Sequence, residues 1–259
     1  MPIRLENLTV AYRRHPVVHH VSGSFVPGEL TAIVGPNGAG KSSLLKSLVG
    51  LLPASDGRID LAGLRPRDIG YLPQQSSLDR SFPLTVGDVV TLGHWHSSGW
   101  FRGVSREARL AAERKLDVVG LAGFAPRNVD ELSMGQFQRV LFARLLVQDA
   151  RVILLDEPFT SLDAKTTDDL LAVVQNWRRE QRTVIAVLHD MEQVRRHFPQ
   201  TLLMARECIG WGDTAAVLTP ANLLRANGMT PTWTGHAPIC DIDGPDAVAT
   251  VSSPIAGRP

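Results

Sequence analysis

Leu30-Thr31-Ala32-Ile33-Val34-Gly35-Pro36-Asn37-Gly38-Ala39-Gly40-Lys41-Ser42-Ser43 decides the fold of this 259-residue chain. Leu30 to Val34 reads as a short buried strand. It runs into a glycine-rich loop, Gly35 to Gly40, and then into a predicted helix, Lys41 to Leu51, with Leu44, Leu45 and Leu48 on one face. Gly35 to Ser42 satisfies the P-loop pattern. The glycines let backbone N–H groups turn inward around phosphate oxygens. The helix aims its positive end at the same place. Lys41 can reach the β- and γ-phosphates, and Ser42 can ligate Mg²⁺. The strand before the loop and the helix after it make a chance match rare.

Outward from that loop, strand and helix signals alternate. Ile3, Leu5, Leu8 and Val10 give the first segment, to about residue 75, strand character. Val152 to Leu155 and Val184 to Leu188 are apolar runs too short for a membrane span, which needs about 20 residues. They suit the buried strands of a parallel sheet. A helix is predicted between them, from Thr166 to Gln181. Strands alternating with helices predict an α/β fold with a largely parallel core sheet. Residues from about 76 to 150 read differently. Thr85 to Leu92 is apolar at helical spacing, and Arg106 to Val119 sets Leu110, Leu116 and Val119 among Arg and Glu. His94 to Arg102 reads as a loop between them. This block is expected to be a helical subdomain inserted into a domain that spans residues 1–229. The tail, 230–259, holds five prolines (231, 238, 245, 254 and 259) and is expected to be loosely ordered.

Composition excludes several classes. The chain is 44% hydrophobic, so it can bury a core and is not wholly disordered. Lys plus Arg is 27 and Asp plus Glu is 26, which gives no support for a global polyanion binder. Two cysteines, Cys208 and Cys240, make no disulfide framework and fit a reducing cytosol. Met1 to Tyr12 lacks the pattern of an export signal. If the protein acts at a membrane, another chain crosses it.

A second chemical centre follows the strand Val152 to Leu155, which ends in Asp156 and Glu157. Burying a carboxylate is costly, so two adjacent ones at a strand end face a cation or water. Asp156 fits the Mg²⁺ role of a Walker B aspartate, and Glu157 is then placed to polarise an attacking water.

Leu132-Ser133-Met134-Gly135-Gln136, followed by Phe137-Gln138-Arg139-Val140, resembles the signature motif of ATP-binding cassette (ABC) ATPases, LSGGQ followed by xQRV. Further motifs stand in that family's order. Gln74, in Gly70-Tyr71-Leu72-Pro73-Gln74, resembles the Q-loop. Ser161-Leu162-Asp163 resembles the D-loop, and His189 the switch histidine. Tyr12 resembles the aromatic that stacks on adenine. The resemblance covers about residues 3 to 225. It implies a P-loop NTPase cassette with a RecA-like core, an N-terminal antiparallel β portion and a helical subdomain.

The resemblance also implies roles. Tyr12, Gly35, Pro36, Asn37, Gly38, Ala39, Gly40, Lys41, Ser42 and Ser43 bind the nucleotide. Ser42, Gln74 and Asp156 hold the Mg²⁺ of Mg-ATP. Glu157, His189 and Gln74 serve hydrolysis, and Gln74 couples the site to a membrane partner. Within the in-trans signature Leu132 to Gln136, Ser133 and Gly135 present donors to the γ-phosphate held by the opposite subunit, and Asp163 of the D-loop Ser161 to Asp163 helps to join the two sites. ATP is then bound between two cassettes, with a second copy of this chain the simplest partner. The signature departs from the family at Met134, which stands where the first glycine would be. Its bulk and restricted φ are expected to leave activity intact or weakened.

Ile69 to Gln74, Phe82 to Val90, Leu92-Gly93 and Gly99-Trp100-Phe101 resemble the ATPase subunits of bacterial zinc, manganese or iron importers, with zinc favoured. That implies integral membrane permease subunits, an extracytoplasmic metal-binding protein, and a peripheral place on the cytoplasmic face of the inner (plasma) membrane. Other cargoes, such as a siderophore or haem, would use the same nucleotide sites. A soluble cassette ATPase acting on nucleic acid or ribosomes suits the chain less well, since it has one cassette and no long heptad segment; no nucleic acid is expected. An ordinary P-loop kinase leaves the signature, Ser161 to Asp163 and His189 without a place. His94 and His96 as a ligand pair, and His236, Cys240 and Asp241 as a tail site, compete with blander polar loops. His15, His19 and His20 read as surface residues.

Overall fold

The computed structural model describes residues 2–12, 15–75, 78, 80, 82–94 and 105–228. The readings on His96, on Gly99-Trp100-Phe101, and on the tail with His236, Cys240 and Asp241 lie outside them. Strands β1 (Ile3–Tyr12), β2 (His15–Phe25) and, beyond β3 (Leu30–Val34) and helix α1 (Lys41–Leu48), β4 (Asp56–Asp60) account for the N-terminal part. β1, β2 and β4 form an antiparallel sheet in the order β2-β1-β4. The larger sheet takes β3 together with β5 (Ile69–Leu72), β6 (Val152–Asp156), β7 (Thr183–Val187), β8 (Gln200–Ala205) and β9 (Glu207–Asp213). Its order is β5-β6-β7-β3-β8-β9, parallel throughout except for the last pair.

Unbroken apolar runs form these strands because both sheet faces are covered. Successive residues point to opposite sides. Ile153, Leu155, Val184 and Ala186 enter a core shared with helices. Val152, Leu154, Ile185 and Val187 enter a second core with α1 and the antiparallel sheet. Leu44, Leu45 and Leu48 of α1 fill that second core, as their spacing predicts.

Among the described residues, three α-helices lie between β5 and β6: α2 (Val86–Thr91), α3 (Arg106–Val118) and α4 (Met134–Gln148). α5 (Ala164–Arg179) joins β6 to β7, and α6 (Met191–His197) joins β7 to β8. α7 (Thr214–Val217) and α8 (Pro220–Gly228) follow β9. Among the described residues no helix is long and apolar enough to cross a membrane.

Capping decides the helix ends that periodicity misplaced. α1 stops three residues before the predicted Leu51, because Gly50 turns to φ 77° and its N–H closes on the Ser47 carbonyl. α5 begins at Ala164 instead of Thr166, since the Asp163 carboxylate accepts the Thr166 N–H at 2.9 Å. It ends before Gln181, which takes φ 59°.

Candidate functional site

β5, β6, β7 and β3 are neighbours, and their carboxyl ends carry Gln74, Asp156 and Glu157, His189 and the glycine loop respectively. A parallel sheet therefore delivers all four segments to one edge. A cleft of about 1140 Å³ opens there, and Lys41, Ser42, Gln74, Glu157 and His189 are among the residues that line it.

The loop needs glycine where neighbours crowd it. Gly40, the residue before α1, has φ 87°, and a Cβ there would lie 2.0 Å from the Val17 carbonyl oxygen. At Gly35 a Cβ would lie 1.9 Å from the Met204 carbonyl oxygen. The loop is thus pressed between β2 and β8. Val17 has no sequence signal for this role, since its main chain makes the wall. Lys41 folds back over the loop and donates from Nζ to the carbonyls of Gly35 at 2.8 Å and Pro36 at 2.9 Å. Burial lowers its pKa, and the neighbouring Glu157 and Asp156 oppose that shift.

Ser42 Oγ donates to Asp156 Oδ1 at 2.8 Å. Asp156 is only 1% exposed. Burial raises its pKa, the Ser42 bond works the other way, and Glu157 raises it further. Two hard oxygens this close, one anionic, suit an oxygen-seeking cation.

Glu157 is where distant segments meet. Gln74 Nε2 donates to its Oε2 at 3.1 Å, and His189 Nε2 lies 2.8 Å from its Oε1. Glu157 itself sits at φ 52°, a left-handed conformation that side-chain-bearing residues rarely adopt. A carboxylate held at the cleft wall between an amide and an imidazole can orient and polarise a water.

Of the other predicted residues, Asn37, Gly38, Gly40, Ser43 and Leu162 also line the cleft, whereas Tyr12 and Leu132 to Gln136 lie outside it. Ser133 caps α4 in a reciprocal box: it accepts the Gln136 N–H at 3.2 Å, and Gln136 Oε1 accepts the Ser133 N–H at 3.0 Å. Leu132 is buried beneath that cap, and none of Leu132 to Gln136 lines the cleft. Met134 is the first residue of α4, avoids positive φ and is 47% exposed, so in this chain its bulk meets solvent. Its backbone is helical, so the restriction on positive φ puts no strain on the chain itself. Gln75 Nε2 donates to the Met134 carbonyl at 3.0 Å, and Arg80 donates to the carbonyls of Val129 and Leu132 while covering the Phe137 ring. These contacts tie the segment after Gln74 to the start of α4.

Asp163 caps α5, and its bonds from the Thr166 N–H and hydroxyl lower its pKa. A Cβ on Gly135 would lie 3.9 Å from Asp163 Oδ2, which puts the two motifs side by side. Ser161 takes φ 62°, and Leu162 borders the cleft. Tyr12 ends β1, 46% exposed and outside the cleft lining. Among the described residues no three His, Cys, Asp or Glu side chains gather as a metal cage. His19 lies 3.4 Å from Glu207, and His20 is 2.8 Å from Asn7 Oδ1.

Known proteins show the same pattern. Residues 18–160 match the family model described as ABC transporter. The zinc transport system ATP-binding protein TroB of Treponema pallidum is 38% identical over 231 residues, covering 87% of this chain and 86% of that one. The manganese transport system ATP-binding protein MntB of Bacillus subtilis is 37% identical over 231 residues, covering 88% and 92%. The dimeric structure of MJ0796, a bacterial ABC transporter cassette, superposes with a TM-score of 0.72 at 28% identity, covering 82% of this chain and 98% of that one.

Proposed function

The chain belongs to the ABC transporter family as an ATP-binding, ATP-hydrolysing cassette, and from that premise we propose that it powers a bacterial importer of a divalent transition metal, with zinc favoured and manganese or iron the alternatives. The convergence of Gln74 and His189 on Glu157, beside the Ser42–Asp156 pair, carries the reading of the site.

In this reading the backbone N–H groups from Gly35 to Gly40, with Pro36, Asn37 and Ala39 shaping the turn, hold the phosphates of ATP. Lys41 leaves its carbonyl partners for the β- and γ-phosphates, an exchange of neutral acceptors for anionic ones. Ser42 and Ser43 open α1 beneath the phosphates, and Tyr12 stacks on adenine. Ser42, Asp156 and Gln74 hold Mg²⁺, which when bound neutralises charge on the phosphate oxygens. Glu157 takes the proton of the attacking water. His189 contacts the γ-phosphate and keeps Glu157 in place.

A second copy supplies Ser133 and Gly135 to that phosphate, with Leu132, Met134 and Gln136 as their frame. Ser161, Leu162 and Asp163 join the two sites. Residues 1–229 form the working cassette, with the signature carried by the 76–150 block. Two chains close on two ATP and reopen after hydrolysis. They act on integral membrane permease subunits at the cytoplasmic face of the inner membrane, in a system fed by an extracytoplasmic metal-binding protein. TroB and MntB, named for zinc and manganese transport, support the cargo class.

The test is cellular zinc, manganese and iron in chelator-limited medium, in a strain lacking the chain and complemented by wild type or Glu157→Gln. A deficit in one metal, rescued by wild type alone, is expected. No deficit in any metal, with no redundant importer present, would remove the metal reading. In vitro, Glu157→Gln is expected to bind ATP and stay dimeric on size exclusion without turnover, whereas Lys41→Ala loses nucleotide binding itself.

A further inference from the structure

Gln138 lies on α4, one turn beyond the capped start of that helix, and is 2% exposed. Its Nε2 donates to the carbonyl oxygen of Pro158 at 2.7 Å. That carbonyl can only accept, so the amide must face it with its nitrogen. The opposite atom, Oε1, is buried with no hydrogen-bond partner among the described residues. A buried amide with one half unpaired is a poor device for stability, because an apolar side chain of the same length would fill the space without an orphaned acceptor.

Pro158 directly follows Glu157, whose backbone is at φ 52°. Such a conformation persists at a functional site only when its surroundings hold it there. On the upstream side the Glu157 N–H donates to the Val187 carbonyl at 3.2 Å, which fixes it to β7. On the downstream side the Gln138 bond fixes the Pro158 peptide to α4. Between these two anchors the Glu157 carboxylate reaches Gln74 and His189.

We propose that Gln138 is a positioning residue for hydrolysis: it pins the Pro158 carbonyl and thereby keeps Glu157 in the left-handed conformation that aims its carboxylate at the attacking water. The proposal rests on Glu157 as the general base. Gln138 does not line the cleft, so it acts on hydrolysis only through Pro158 and Glu157.

The experiment compares full-length wild type, Gln138→Met, Gln138→Glu and Glu157→Gln for kcat, KM for ATP, affinity for a fluorescent ATP analogue, and melting temperature. Gln138→Met keeps the length and removes the donor. Gln138→Glu keeps the shape; it is assayed beside wild type at high pH, where even a buried carboxyl gives up its proton and has none to donate. Both are expected to lower kcat about tenfold or more, as small misplacements of a reacting group do, with KM and analogue affinity within about twofold of wild type. Gln138→Met is also expected to melt within a few degrees of wild type. Wild-type kcat in either variant would overturn the proposal, as would parallel loss of kcat and nucleotide affinity. If one variant fails to fold, the other carries the test; failure of both to fold would show a structural role and overturn it as well. Normal turnover in Glu157→Gln would instead remove the general-base reading. An inactive Glu157→Gln beside fully active Gln138 variants would remove only the role of Gln138.

Discussion

Gly40→Ala is the sharpest test of how the phosphate loop is built. Two costs meet at this position. The first is conformational: an alanine held at φ 87° pays about 1–2 kcal/mol for the left-handed region. The second is steric. The new methyl would lie 2.0 Å from the Val17 carbonyl oxygen and 3.0 Å from Val18 Cγ2, where ordinary contact begins at 3.4 Å. Carbonyl and loop must part by about 1.4 Å, and β2 is held to β1 along its length. Overpacking of this kind adds about 1–3 kcal/mol. The sum, roughly 2–5 kcal/mol, corresponds to a melting temperature lower by about 5–15 °C for a domain of this size. Gly50→Ala is the control, because Gly50 has φ 77° with nothing within 4 Å of its added Cβ and lies outside the cleft. It should lose only the conformational part, about 2–6 °C. Opening the cradle also breaks phosphate contacts. Two charge-assisted hydrogen bonds at about 1.5 kcal/mol each amount to about 100-fold in affinity. Calorimetry and titration with a fluorescent ATP analogue read both effects. If Gly40→Ala matches Gly50→Ala in both, Val17 is not the wall of the loop and the packing argument fails.

Two further predictions concern stability. Burial raises the Asp156 pKa, so the folded chain holds that proton to higher pH than the unfolded chain. Stability from this group falls as pH rises through the interval between the ordinary and the raised value, and the penalty remains at neutral pH. Nucleotide-free Asp156→Asn should therefore melt above wild type at pH 7, with the gap closing as the pH is lowered; calorimetry across pH checks the sign, and a lower melting point at pH 7 would refute it. Trp177 is 1% exposed and stacks on Phe142 with ring centroids 5.7 Å apart. Trp177→Ala should cost about 3–5 kcal/mol while the folded fraction keeps its affinity for ATP, as urea unfolding and nucleotide titration would show.

The phosphate loop was legible in the sequence because its chemistry is local. A run of backbone N–H groups, one lysine and one hydroxyl need only their own order along the chain, and glycine at 35 and 40 announces backbone that side chains cannot share. Asp156 and Glu157 were legible for a related reason, two carboxylates ending an apolar strand. The helix ends were less so, because Gly50 and Asp163 act through caps that apolar periodicity does not register. The roles proposed for Gln74, His189, Ser133 and Asp163 came from resemblance, since nothing in their spacing says that they meet.

What joins Gln74 to Glu157 and His189 is strand order. β5 and β6 lie side by side although 79 residues separate the end of one from the start of the other, and β7 lies on the far side of β6. Sequence distance carries no record of that adjacency; backbone pairing and the two apolar cores create it. The same holds for Val17 against Gly40, and for Gln138 against Pro158, where one partner in each pair is a main-chain carbonyl that every residue type possesses. The sequence alone therefore marked the groups proposed to hold phosphate. Tertiary structure decided which carboxylate is aimed, and by what, because aim depends on contacts between segments that only packing brings together.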